Sequence, residues 1–124
     1  FGNAIGWATH ILQSGQAMEK MREIIKAQGG NPQVTSEDLH PGRYHAVIAA
    51  KNNGKIKKIN SKEVTIIAKI LGAPKDRKAG LFFEKQIGEK VTKGETLYTI
   101  YSSSEYNLKE AKESLTHFPI LFYE

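Results

Sequence analysis

Cysteine is absent from the 124 residues. That excludes a disulfide framework, a thiolate nucleophile and any cysteine-based metal site, and it makes an intracellular, cytoplasmic setting the expectation. Long apolar runs are also missing. Charged residues break every hydrophobic stretch well short of the ~20 residues a membrane-spanning helix needs, and the first residues lack the basic start and apolar run of a signal peptide. No membrane partner is expected. The length suits one ordinary domain with a core of its own, not two. Because the chain opens on Phe1 rather than Met, it is expected to be a piece of a longer polypeptide.

What is present is lysine. The formal net charge is +5, with local concentrations at Lys51, Lys55, Lys57 and Lys58 and at Lys75, Arg77 and Lys78. A phosphate-bearing partner fits that balance. Nucleic acid is the less favoured such partner, since the cations alternate with Ile56, Ile59 and Ile66 rather than with stacking aromatics, the pattern of a solvated face.

The hydrophobic periodicity predicts a short helix over Ala4 to Leu12 and a second one capped by Ser14. In the second, Ala17, Met18, Met21, Ile24 and Ile25 make an apolar stripe against a charged face, and Gln28-Gly29-Gly30 ends it. Gln33 to Gly42 is polar and turn-prone. Beyond it, Tyr44 to Ala50 and Lys55 to Asn60 read as a hairpin turned at Asn52-Asn53-Gly54. A helix capped by Ser61 comes next, with Val64, Ile67, Ala68 and Leu71 facing inward and Gly72 closing it. Leu81 to Ile87 and Thr96 to Tyr101 read as a second strand pair, with Val91 and Leu97 pointing inward. Asn107 begins a last amphipathic helix bearing Leu108, Ala111 and Leu115, and Pro119 to Tyr123 is strand-like. Hairpins mixed with separated helices indicate an α+β fold with an antiparallel or mixed sheet.

Catalytic signatures are scarce. His10, His40, His45 and His117 lack metal-ligand spacing and read as surface or half-buried polar residues. Ser102, Ser103 and Ser104 have no glycine-flanked nucleophile elbow around them and read as a loop before a helix. Gly88 to Gly94 lacks the terminal Lys-Ser or Lys-Thr pair of a P-loop and reads as a structural turn. No catalytic, cofactor or metal residue is assigned. One segment is nominated for function: Gly72 to Gly80 sets Lys75, Asp76, Arg77 and Lys78 between two glycines at a helix end, a candidate cleft-facing loop. The competing reading is an ordinary exposed connection whose cations suit the negative helix C-terminus.

Taken together, ILQSGQAMEKMREIIKAQGGNP, NNGKIKKI, LGAPKDRKAG and IGEKVTKGETLYTIY resemble the thymidine and pyrimidine nucleoside phosphorylases and their archaeal relatives, the AMP phosphorylases. The likeness spans nearly the whole chain. Gly-Ala-Pro-Lys-Asp resembles the archaeal members, where bacterial ones usually carry Gly-Ala-Gly-Arg. The resemblance implies residues 1–33 as the helical tail of an upstream domain and 34–124 as a C-terminal α/β-hammerhead domain. It also implies a parent that phosphorolyses thymidine, a pyrimidine nucleoside or AMP to free base and sugar phosphate. The implied partners are the remaining domains of that parent, with phosphate and nucleoside or nucleotide as its substrates, and no cofactor is implied; apolar stripes left uncovered on the first helices would favour self-association into a homo-oligomer. The family's phosphate- and base-binding residues lie upstream of this chain, so the fragment is expected to be inactive alone. Since the same fold resembles biotinyl and lipoyl carriers, a carrier module is one alternative and a basic nucleic-acid module another. A carrier needs its lysine at a hairpin tip in a Met-Lys-Met or Asp-Lys setting, whereas Met18-Glu19-Lys20-Met21 falls on a helix.

Overall fold

The computed structural model describes residues 2–124. They fall into two compact units that divide between Leu39 and His40. No helix among the described residues is long and apolar enough to cross a membrane.

The first unit is helical. α1 (Ala4–Gln13) starts at Asn3, whose Oδ1 accepts a hydrogen bond from the Gly6 amide at 2.6 Å. Ser14 does not cap the next helix as its type suggested; it closes α1 by donating its amide to His10 O. Gly15, at φ +84°, then makes the turn into α2 (Gln16–Ala27), a left-handed step that a glycine takes without steric cost. α2 ends where its glycines require. The Gly30 amide donates to Ile25 O at 2.9 Å and the Gly29 amide to Lys26 O at 3.0 Å, satisfying two carbonyls the helix leaves open. No residue of α1 or α2 is buried.

The second unit is α+β. β1 (Tyr44–Ala49), β5 (Thr96–Ser102) and β3 (Gly80–Phe83) form one sheet in the order β1-β5-β3. β4 (Lys90–Val91), β2 (Gly54–Ile59) and β6 (Leu121–Tyr123) form another in the order β4-β2-β6. Every pairing is antiparallel. α3 (Ser61–Leu71) and α4 (Glu105–His117) pack on each other and on the first sheet. The core runs through Ile56, Ile67, Leu71, Ile100, Ala111 and Ile120, all at most 1% exposed. Val91 and Leu97 are buried as their spacing predicts.

The expected hairpin is corrected. β1 pairs with β5, and β2 with β4 and β6, so Asn52-Asn53-Gly54 carries the chain from one sheet to the other instead of reversing it. Around Ala50 the backbone is already engaged: its amide donates to Glu95 O and its carbonyl accepts from the Gly94 amide, each at 2.8 Å. β5 is the more apolar partner for β1, and pairing there buries Tyr98 and Ile100. The stretch 88–95, expected to be turn only, contains β4. The strand predicted over Leu81 to Ile87 stops at Phe83. α3 begins one residue early because Asn60 is its cap, accepting from the Lys62 and Glu63 amides at 3.2 and 3.5 Å. α4 begins at Glu105, capped by Ser104.

Candidate functional site

The nominated loop starts as the termination of α3. Gly72, at φ +123°, lets its own amide donate to Lys69 O and the Ala73 amide to Ala68 O, so the helix stops with its last carbonyls satisfied. The Ala73-Pro74 peptide is cis. The chain then doubles back, and the Asp76 amide donates to Gly72 O at 2.8 Å.

Asp76 organises the remainder of the loop. Its Oδ1 accepts from the Lys78 amide at 2.9 Å, and its Oδ2 accepts from the Ser103 amide at 3.0 Å. The Lys78 amide foremost, and then Ser103, hold its carboxyl below its ordinary pKa. Lys78 O in turn accepts from the Gly42 amide at 2.8 Å. Only a glycine fits there, since a Cβ on Gly42 would lie 2.3 Å from the carbonyl carbon of Ser102.

The three serines tie the surrounding elements together. Ser102 Oγ is buried, donates to Leu71 O at 2.7 Å and accepts from the Ser104 amide at 3.1 Å, linking the end of α3 to the start of α4. Ser104 Oγ accepts from the Asn107 amide at 3.2 Å and caps α4. Ser103 supplies the amide that Asp76 uses. The reading of this run as a loop before a helix holds for Ser103 and Ser104, whereas Ser102 is the buried last residue of β5, and the run joins two helices to the charged loop.

Among the four nominated residues, Lys75, Arg77 and Lys78 are exposed and Asp76 is half-buried. The ion pairs between described residues, Lys20 with Glu23 and Lys85 with Glu95, lie elsewhere. The loop is therefore a braced platform carrying cations outward. His10, His40, His45 and His117 are all exposed. No group of three or more His, Asp or Glu able to hold a metal occurs among the described residues. An open cleft of about 390 Å³ lies apart from the loop, lined by Asn53, Gly54, Lys90, Val91, Thr92 and Glu95.

Two three-stranded antiparallel sheets with two helices define the second unit as a small α+β domain. The pyrimidine nucleoside phosphorylase C-terminal domain family matches residues 55–118, a span holding the whole charged loop and the serine junction. The chain belongs to that family. It is 43% identical over 104 residues to an AMP phosphorylase of Methanosarcina barkeri, covering 84% of this chain and 21% of that protein. With the AMP phosphorylase of Methanocaldococcus jannaschii it shares 45% identity over 104 residues, 84% of this chain and 20% of that protein. With that of Methanococcus maripaludis the figure is 44% over 110 residues, 89% of this chain and 21% of that protein. The chain thus spans about a fifth of the length of these relatives.

Proposed function

We propose that this chain is the C-terminal domain of a phosphorylase of the AMP phosphorylase type, with its helical first unit the tail of a preceding domain. The reading rests on one observation above others: identity of 43 to 45% to AMP phosphorylases runs through both units, over a stretch that is only a fifth of those proteins. In the longer enzyme, inorganic phosphate attacks the anomeric carbon of the ribosyl group, the bond to the base breaks, and free base leaves with a sugar phosphate as the second product. Such a reaction requires phosphate and nucleotide held in line in a closed, water-poor cleft. The residues that touch them are supplied by other domains. This domain forms part of the wall, and its loop Lys75, Asp76, Arg77 and Lys78 faces that cleft in a cytoplasmic enzyme.

The exposed apolar faces of α1 and α2 support the placement of the first unit. Ile5 is 80% and Leu12 71% exposed, a hydrophobic surface that upstream sequence would cover. The test is product formation by the longer polypeptide on AMP, thymidine and uridine with phosphate present. Adenine release from AMP in preference to base release from the two nucleosides is expected, and no phosphate-dependent base release from any of them would refute the proposal.

A further inference from the structure

We infer that the face of the β1-β5-β3 sheet turned away from α3 and α4 is a docking surface for the part of the longer polypeptide that precedes this chain, an apolar contact made within one molecule. The inference rests on the function proposed above and deepens it, by naming the surface through which this domain meets the others.

The sheet has two unlike faces. α3 and α4 cover one, where Ile48, Leu81, Phe83 and Ile100 join the core. On the other, the strand register lines up two rows: Val47, Thr99 and Phe82, then His45, Tyr101 and Gly80. The solvated face of an antiparallel sheet is ordinarily polar. Here neither row holds an acid, a lysine or an arginine, in a chain where such residues make up 25%. The sister sheet follows the usual rule, with Lys55, Lys57, Lys58 and Lys90 exposed on β2 and β4. Val47 is 54% and Phe82 58% exposed, whereas Thr99 between them is 6% exposed. The result is a groove with a small side chain as its floor and two apolar walls, about 10 Å apart across two strand spacings. An aliphatic or aromatic side chain from a partner fits between them. Gly80 leaves the opening clear beside it, since a Cβ there would meet nothing within 4 Å.

Size decides the kind of partner. Three strands at their usual spacing and five residues of rise give a face on the order of 200–300 Å². Separate molecules need about 800 Å² on each side to associate stably. So small a patch suits a partner that is already tethered, because a covalent link supplies a high effective concentration. The chain spans about a fifth of the length of its relatives, which leaves such a partner on the same polypeptide.

With no cysteine in the chain, a thiol introduced there is unique within it. The experiment places Val47→Cys, Phe82→Cys and, as a reference, Lys57→Cys singly in the 124-residue chain and in the longer polypeptide. Reaction with a charged maleimide is followed by the mass of the labelled peptide. In the chain all three thiols should react at similar rates. In the longer polypeptide the thiols at 47 and 82 should react about tenfold more slowly or less still, relative to that at 57, and dilution should not change this. Equal rates in the two proteins, or an equal slowing of all three thiols, would overturn the inference. So would protection in the chain alone that grows with its concentration, which would mark a second copy as the occupant. Should a cysteine variant fail to fold, hydroxyl-radical oxidation of Phe82 in the two unaltered proteins reads the same surface, and equal oxidation refutes it. Labelling does not depend on turnover, so a longer polypeptide that forms no product overturns the underlying function while the thiol rates still decide the surface.

Discussion

The Asp76 carboxylate and the Ser103 amide stand 27 positions apart in the chain and meet at 3.0 Å, joining the charged loop to the segment that opens α4. That contact makes a local run of charge a tertiary feature. Replacing Asp76 by Asn sets an amide nitrogen against one of the two backbone donors. Exchange of the Ser103 or Lys78 amide hydrogen should then speed up, while amides inside α3 keep their protection. Equal protection in both proteins would show that the loop is held by other means.

Acid sensitivity arises from the same group. Asp76 and Glu95 are both held below their ordinary pKa values in the folded protein, Asp76 chiefly by the Lys78 amide and Glu95 chiefly by the Thr92 amide. A depressed carboxyl contributes stability above its unfolded pKa, about 3.9 for Asp and 4.3 for Glu. That contribution is lost as pH falls through the lower folded values. Melting temperature should therefore drop on acidification below about pH 4.5, and less steeply for Asp76→Asn/Glu95→Gln. Parallel curves for the two proteins would remove these groups as the cause.

The serine junction should be costly to disturb. Ser102→Ala leaves Leu71 O and the Ser104 amide without their buried partner, which costs about 1–3 kcal/mol. Gly42→Ala forces a methyl group into the Ser102 backbone and should cost at least as much, about 3 kcal/mol. Gly80 has nothing within 4 Å of an added Cβ, so Gly80→Ala is the matched control. Urea unfolding of the three variants gives the order directly, and a Gly80→Ala loss as large as that of Gly42→Ala would contradict it.

Lys55 and Lys90 are directly opposed across β2 and β4, both exposed, and like charges at such a pair are unfavourable. Lys90→Glu should stabilise the chain by about 0.2–1 kcal/mol at low salt, with the gain shrinking as salt is added. A salt-independent change, or a loss, would mean that another interaction dominates there.

Much of the architecture was legible because its causes are local. The stripe of Met18, Met21 and Ile25 with Gly29-Gly30 beyond it specifies α2 and its end, and Val64, Ile67 and Leu71 followed by Gly72 specify α3. The α+β class came from the same patterns and holds. Caps were misplaced where two adjacent polar residues compete, as at Asn60 and Ser61, since either type can accept the first amides. Strand pairing was the larger miss. Asn52-Asn53-Gly54 favours a turn, but pairing β1 with β5 buries Tyr98 and Ile100, and that tertiary gain decides the partner. At the loop, the charges of Lys75, Asp76, Arg77 and Lys78 were visible, yet the separate task of Asp76 was not, because its partner lies beyond β5 in the sequence.

Phosphate-dependent release of base from AMP, measured for the 124-residue chain beside the longer polypeptide at equal concentration, bears most directly on the claim that this domain supports a reaction whose chemistry other domains supply. Turnover by the longer protein and none by the chain is the predicted result. Base release by the chain alone, in proportion to its concentration and dependent on phosphate, would contradict it.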